Sequence, residues 1–166
     1  IKSDKKKYYF ILNYESQEDK VKFFKYNLCN EKTFDSLFLK NKNKIISICE
    51  DFKEKKGLYQ IKGIPYKLGL LLYGPPGTGK TSLIKVIANY LDRHIINISL
   101  SQIKTNKELL DIIFNLSPIA SSSNFQNLTY KDVIFIIEDI DSMSDIVKKR
   151  SKKRINNTTS TTCIIN

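Results

Sequence analysis

The sequence contains no tryptophan and only one histidine, His94, and its three cysteines lie far apart. The cysteines are Cys29, Cys49 and Cys163. An odd number of cysteines without C-x-x-C spacing argues against both a disulfide framework and a zinc site. The composition therefore favours a reducing compartment, and Cys49, on an apolar helical stripe, is expected to be an ordinary buried thiol.

Long hydrophobic runs are also missing. No apolar run reaches the ~18 residues that a membrane helix requires, so the chain as given is expected to be soluble. It starts at Ile1 and not at a methionine, which leaves open a targeting or anchoring segment upstream. With 41% hydrophobic residues among 166, the chain is expected to bury one core.

Arginine is scarce, although the chain carries a formal net charge of +11. The arginines are Arg93, Arg150 and Arg154. Two basic runs, Lys5–Lys7 and Lys148–Arg154, flank the patterned region, and each is either a solvated tail or a patch for a polyanion or for localisation. Few apolar residues follow Val147, so residues 148–166 are predicted to form a basic, disordered tail.

The remaining pattern alternates between strand-like and helix-like segments. Short β-branched and aromatic runs predict strands over Tyr8–Leu12, Leu68–Tyr73, Ile95–Leu100 and Val133–Ile137. Apolar residues at helical spacing predict helices over Lys44–Phe52, Leu83–Leu91 and Leu109–Phe114. Thr105 and Glu108 form a capping box before the last helix, while the state of Val21–Leu28 is left open. This alternation predicts the α/β class, with a doubly wound parallel sheet.

A phosphate-binding motif lies between the second predicted strand and the following helix. The string Gly74-Pro75-Pro76-Gly77-Thr78-Gly79-Lys80-Thr81 matches G-x-x-x-x-G-K-[ST] in the required context. Its glycines let backbone N–H groups point at phosphate oxygens, and the helix N-terminus adds its positive dipole end. Lys80 is predicted to bridge the β- and γ-phosphates of ATP and Thr81 to ligate Mg²⁺, with Ser82 completing the nucleotide-binding set. The alternative is a glycine-rich turn with a coincidental lysine.

An acidic pair, Glu138-Asp139, follows the strand Val133–Ile137. A P-loop needs a carboxylate at the end of a neighbouring strand, beside the magnesium coordination shell. Hydrolysis also requires a carboxylate that orients and deprotonates the attacking water, and two adjacent acids can divide these roles. The alternative is a cap for the following helix.

Together these motifs resemble the AAA ATPases of the BCS type, the mitochondrial chaperones for respiratory complex III assembly with their plant and viral relatives. The resemblance rests on Gly63-Ile64-Pro65-Tyr66 before the strand, on the P-loop string, and on Ile136-Ile137-Glu138-Asp139-Ile140-Asp141. It covers residues 32–147, so residues 1–31 are assigned to part of a preceding domain. The acidic pair is Glu-Asp where most AAA proteins have Asp-Glu.

The resemblance implies specific roles and partners. Glu138 takes the metal-side position, Asp139 takes the water-activating position, and Lys80 is the third catalytic residue. Lys32–Leu37 is similar to the stretch that contacts adenine in AAA proteins, although loop packing explains it as well. The protein is expected to hydrolyse ATP, to work as a ring homo-oligomer, and to remodel or translocate a protein client. By family its place is the mitochondrial inner membrane, and otherwise the cytoplasm or a virus, with membrane contact only through segments outside this chain.

Two features depart from the wider AAA pattern. Leu100–Lys104 offers no aromatic-hydrophobic-glycine motif of the kind that grips a threaded polypeptide. No sensor strand, arginine finger or helical lid is recognisable after Val147, so the predicted P-loop NTPase fold is incomplete. Two other functions stay open. The missing second half suggests a truncated module that binds nucleotide without turnover, whereas the charge and the shared P-loop alone suggest a nucleic-acid motor; no specific nucleic-acid partner is expected.

Overall fold

One mixed β-sheet with helices on both faces organises the chain. The computed structural model describes residues 6–13, 22–29, 31–103, 105–119, 128–138 and 160–165. The strands are β1 (Tyr8–Asn13), β2 (Lys22–Asn27), β3 (Leu70–Gly74), β4 (His94–Ser99), β5 (Val133–Glu138) and β6 (Ser160–Ile165). The helices are α1 (Lys42–Lys53), α2 (Lys80–Leu91) and α3 (Asn106–Phe114). None of the described helices combines the length and apolarity that a membrane span requires.

The strand order across the described sheet is β2-β1-β4-β5-β6-β3. β1, β4 and β5 are parallel neighbours. β6 runs antiparallel to both β5 and β3, so β3 points in the same direction as β5. The carboxyl ends of β3, β4 and β5 therefore lie at the same edge of the sheet, which is where ligands bind in open α/β folds.

The core consists of two hydrophobic layers, one on each face of the sheet. Alternate residues of β4 and β5 enter different layers, as the two-residue period of a strand requires. Ile95, Ile134 and Ile136 pack in the layer that contains the buried side chains of α1 and α2. Ile96, Val133 and Phe135 pack in the layer that contains Ile112 of α3. The predicted α/β fold with helices on both sides of the sheet is confirmed.

The sheet is mixed, whereas the sequence predicted a parallel one. The open segment at Val21–Leu28 forms β2, which pairs antiparallel with β1 from Tyr8↔Asn27 to Asn13↔Lys22. The connection between these strands is shorter than the crossover of about a dozen residues that parallel pairing needs. The segment assigned to a preceding domain thus adds two strands to the same sheet.

Part of the predicted disordered tail is also a strand. Ser160–Ile165 forms β6 between β5 and β3, and the preceding tail residues lie outside the described ones. The prediction rested on how little apolar surface this segment could bury alone. In the sheet, β6 lies between two strands that pair with its backbone N–H and C=O groups, so its order does not depend on its own apolar surface. The prediction of disorder is therefore wrong for these six residues.

Candidate nucleotide-binding site

The loop between β3 and α2 has the backbone shape that its glycines allow. Gly74, Gly77 and Gly79 have φ angles of 147°, 81° and 87°, a region in which side chains other than glycine are strained. A Cβ atom added at Gly77 or Gly79 would meet no other atom within 4 Å. The conformation, and not a shortage of space, is what requires glycine at these two positions. The loop therefore forms an open cradle.

The N-terminus of α2 faces this cradle. Gly79 occupies the N-cap position in the left-handed conformation, and no side chain caps the helix there. The first N–H groups of a helix have no partner inside the helix, and the helix dipole concentrates positive charge at the same end. An uncapped N-terminus beside a glycine loop is suited to an anion such as a phosphate group.

Lys80, the first residue of α2, folds back over the loop. Its Nζ donates hydrogen bonds to the Gly74 carbonyl at 2.9 Å and to the Pro75 carbonyl at 3.0 Å. The Thr78 hydroxyl donates to the same Pro75 carbonyl at 2.9 Å. These contacts hold the ammonium group at the loop, where it can exchange carbonyl oxygens for phosphate oxygens.

Thr81 and Glu138 meet although 57 residues separate them in the sequence. The Thr81 hydroxyl donates to Glu138 Oε1 at 3.4 Å, and the carboxylate stands at the last position of β5. Among the described residues, no three His, Cys, Asp or Glu side chains come together as a metal cluster. One hydroxyl and one carboxylate suit Mg²⁺, which keeps several waters and takes further oxygens from phosphates. These donors therefore fit the predicted metal.

A cleft of about 250 Å³ adjoins the loop. It is lined by Leu39, Leu71, Leu72, Tyr73, Thr78, Gly79, Lys80 and Leu83. The Tyr73 side chain is 77% exposed, so an aromatic surface is accessible beside the P-loop. A phosphate cradle next to a partly apolar cleft is the combination that a nucleotide, with its charged and flat aromatic ends, can occupy.

The stretch Lys32–Leu37 lies against α2, with its backbone and Phe34 beside the C-terminal half of that helix. Its Lys32 Nζ donates to the Ser82 hydroxyl at 3.3 Å, and Phe34 packs edge-on against Tyr90 with 5.3 Å between ring centroids. Asn89 of α2 donates to the carbonyls of Cys29 and Lys32. The Lys32 side chain thus reaches the first turn of α2, beside the loop, while contact of this stretch with adenine stays a prediction.

Two residues near Glu138, Asn97 and Tyr9, were not predicted from the sequence. The Asn97 side chain on β4 donates to Glu138 Oε2 and to the Tyr9 hydroxyl on β1, both at 2.9 Å. Burial, with the nearby charge of Glu138, raises the pKa of Tyr9 to about 12, so this phenol stays protonated at neutral pH. The one available signal was a lone amide in an apolar strand. The contacts of this amide depend on the register in which β4 pairs with β1 and β5, and that register cannot be read from one sequence.

Two of the predicted features cannot be placed completely. Asp139, the predicted water-activating residue, lies outside the described residues. Leu100–Gln102 forms a short 3-10 turn after β4, and Lys104 is outside the described residues. Lys80, Thr81, Ser82 and Glu138 lie at one edge of the sheet, and their roles in nucleotide binding stay a prediction.

The strand–loop–helix, with an acidic residue at the carboxyl end of a second strand that runs parallel to β3, defines this chain as a P-loop protein of the α/β class. Residues 70–162, more than half of the chain, match the family model described as "ATPase family associated with various cellular activities (AAA)". The chain belongs to the AAA ATPase family. The matched range continues past β5 into the residues of β6.

Several Arabidopsis thaliana proteins are similar to this chain. AAA-ATPase At4g30250 is 37% identical over 126 residues, which is 75% of this chain and 22% of that protein. AAA-ATPase At2g18193 is 36% identical over 130 residues, covering 77% of this chain and 24% of that protein. AAA-ATPase At3g28610 is 35% identical over 140 residues, covering 82% and 27%. The chain thus spans about a quarter of the length of these relatives.

Proposed function

We propose that this chain binds Mg²⁺-ATP in the cradle between β3 and α2. Membership of the AAA ATPase family suggests ATP binding. The observation that carries the proposal is the meeting of Thr81 with Glu138 beside an uncapped helix N-terminus. Backbone N–H groups and Lys80 hold the phosphates, while Thr81 and Glu138 hold the metal. Bound Mg²⁺ supplies charge neutralisation between the β- and γ-phosphates.

We further propose that the protein hydrolyses ATP with Asp139 as the residue that activates water. Adjacent acids at the end of β5 can divide metal binding and proton removal between them. Glu138 is already directed toward Thr81, which leaves the next acid for the water. In the chemical step the water oxygen would form a bond to the γ-phosphorus while the bond from that phosphorus to the ADP oxygen breaks, and Asp139 would accept the water proton, which gives ADP and phosphate.

The BCS-type branch is part of the proposal and rests on the lead-in before β3. Its Tyr66 donates a hydrogen bond to the Phe52 carbonyl at 2.6 Å and stacks on the Phe52 ring at 4.5 Å between centroids. The lead-in is thereby attached to α1. Sedimentation of the full-length protein with and without nucleotide tests the implied ring assembly, and action on a protein client is implied by the same resemblance.

Nucleotide titration of Lys80→Ala tests the binding site. Hydrogen bonds to charged groups are worth roughly 1.5–3 kcal/mol, so losing the ammonium group should weaken ATP affinity by about tenfold or more. Lys62→Ala is the matched control, because Lys62 is an exposed lysine in the lead-in to β3 and not in the loop. Equal ATP affinities of Lys80→Ala and the unmodified chain would contradict the P-loop assignment.

A further inference from the structure

A chain of hydrogen bonds leads from the N-terminal hairpin to the carboxylate at the candidate metal site. Tyr9 of β1, Asn97 of β4 and Glu138 of β5 lie on the same face of three adjacent strands. Asn97 Nδ2 donates to the Tyr9 hydroxyl and to Glu138 Oε2, each at 2.9 Å. Glu138 then offers its other oxygen, Oε1, to Thr81. The path joins β1, the second strand of the described sheet, to the P-loop helix α2.

The chemistry of the groups sets the orientation of this path. An ionised carboxylate only accepts hydrogen bonds, so Asn97 must present its NH₂ group and not its carbonyl to Glu138. The two hydrogens of that group have two acceptors, which are the Glu138 carboxylate and the Tyr9 hydroxyl. Asn97 Oδ1 is buried and has no partner among the described residues. The Asn97 side chain is therefore oriented by the two hydrogen bonds that its NH₂ group donates.

Tyr9 itself is held from two sides. Its ring packs against the layer that contains α2, and Lys85 Nζ of α2 lies 5.8 Å from the ring centroid, within cation–π range. Because these contacts restrain the ring, the Tyr9 hydroxyl stays in one place and accepts the hydrogen bond from the Asn97 amide there. Without that hydroxyl, one of the two acceptors that restrain the amide is lost.

We propose that Tyr9 and Asn97 are positioning residues for magnesium binding: Tyr9 orients Asn97, and Asn97 turns Glu138 so that Oε1 faces Thr81. The inference rests on the proposed binding of Mg²⁺-ATP and adds the N-terminal hairpin to that site. Hydrogen-bond partners behind a metal-binding carboxylate set the direction of its oxygens and the affinity for the metal. A displacement of β1 would therefore reach Glu138 through two hydrogen bonds.

The test compares ATP affinity in Mg²⁺ with ATP affinity in EDTA, using a fluorescent ATP analogue and the full 166-residue chain. The ratio of the two affinities is the contribution of magnesium. Partners behind a metal ligand are worth about 10–100-fold, so Asn97→Leu should lower this ratio by about tenfold, and Tyr9→Phe, which removes only the second bond in the path, by about threefold. Affinity in EDTA should stay within about twofold of the unmodified chain, because phosphate binding to the loop does not involve these residues.

A double variant and a control separate positioning from a general structural effect. Because Tyr9 acts through Asn97, the variant with both Tyr9→Phe and Asn97→Leu should show the same ratio as Asn97→Leu alone. Tyr26→Phe removes a hydroxyl from β2 of the same hairpin, on a side chain that is 52% exposed, and should leave the ratio unchanged. Tyr9→Phe keeps the ring and decides the question by itself if Asn97→Leu does not fold.

The possible results separate the positioning role of Tyr9 and Asn97 from the nucleotide site itself. If the unmodified chain gains affinity from Mg²⁺ and Tyr9→Phe gains as much, the positioning role is wrong and the nucleotide site stands. Additive losses in the double variant, or equal losses with and without Mg²⁺, would also remove the positioning role. If the unmodified chain binds no ATP at all, the proposed function and this inference both fall.

Discussion

Glu138 is contacted by side chains of two different elements, one at each carboxylate oxygen. Thr81 of α2 donates to Oε1 and Asn97 of β4 donates to Oε2. In Glu138→Gln, one carboxylate oxygen becomes an NH₂ group, which can only donate and would face either a donor or the metal. We therefore expect Glu138→Gln to lose most of the affinity gained from Mg²⁺, measured by ATP titration with and without the metal.

Asp139→Asn provides the contrasting variant. If the second acid activates water and the first one binds the metal, Asp139→Asn should abolish hydrolysis in the full-length protein and leave Mg²⁺-ATP bound. The measurement pairs steady-state phosphate release with ATP titration. Loss of Mg²⁺-dependent binding in Asp139→Asn, with Glu138→Gln unaffected, would show that the two roles are reversed.

The sequence predicted the local part of this site and missed the long-range part. Lys80 and Thr81 belong to one short motif whose spacing carries its chemistry, and Glu138 follows a recognisable buried strand. Asn97 and Tyr9 have no such motif. Their contact spans 88 residues, and it depends on the register in which β1 pairs with β4. That register is set by packing of the whole sheet.

At the scale of elements, the same distinction explains which predictions were right. α2 and β5 were predicted because each has a hydrophobic period that a single segment displays. The start of α3 was also predicted, and the Thr105 hydroxyl accepts a hydrogen bond from the Glu108 N–H at 3.2 Å. β2 and β6 were not predicted, because both are defined by their neighbours in the sheet. A strand's pairing direction is a property of two segments and cannot be derived from the pattern of one.

The attachment of the N-terminal hairpin to β4 is expected to depend on pH. The Tyr8 backbone N–H donates to His94 Nδ1 at 3.0 Å, so the folded state uses the neutral imidazole. Burial lowers the pKa of His94, and the charges of Lys7 and Lys25 act in the same direction against those of Asp132 and Asp92. The unfolded chain therefore binds this proton more readily. Stability from this source is present above the ordinary histidine pKa of about 6.5 and is lost as the pH falls below it.

Thermal melting between pH 7.5 and pH 5 measures this effect. We expect the melting temperature to fall on acidification, with part of the fall depending on His94. His94→Phe keeps an aromatic ring beside Tyr8 and Phe10, which both contact the His94 ring, and removes the titrating group. The variant should be less stable at neutral pH and should show a weaker pH dependence. An equally steep dependence in His94→Phe would assign the effect to the carboxylates.

At the scale of the whole molecule, the net charge of +11 raises the question of nucleic-acid binding. The basic run Lys148–Arg154 lies outside the described residues, and its sequence has no helical period and no interleaved aromatic residues. We therefore predict that binding to DNA is weak, independent of sequence and steeply lost as salt rises. Replacing the basic residues of this run by serine should reduce such binding without changing ATP affinity. Sequence-selective binding at physiological salt would instead favour the nucleic-acid motor.

The last prediction concerns turnover by the 166-residue chain. Binding groups and transition-state groups are separable in phosphoryl transfer, and Lys80, Thr81 and Glu138 belong to the first kind. An arginine finger is worth ~10³–10⁵ in turnover in the best-studied P-loop enzymes. Among the described residues, the available arginine is Arg93, which directly precedes β4 and lies 5.0 Å from the Phe52 ring centroid.

Arg93 stands at the wrong edge of the sheet for this role. It lies at the amino end of β4, whereas the P-loop and Glu138 lie at the carboxyl ends of parallel strands, roughly 15–20 Å away along the strand. The cleft beside the loop is also open to water, which weakens the electrostatic contacts inside it. We therefore expect the isolated chain to bind Mg²⁺-ATP and to turn it over far more slowly than the ~1 s⁻¹ at the low end of ordinary enzymes. Phosphate release under saturating Mg²⁺-ATP measures this rate, and Lys80→Ala sets the background. A rate of ~1 s⁻¹ or more would show that the groups already present at this edge of the sheet stabilise the transition state without an arginine from elsewhere.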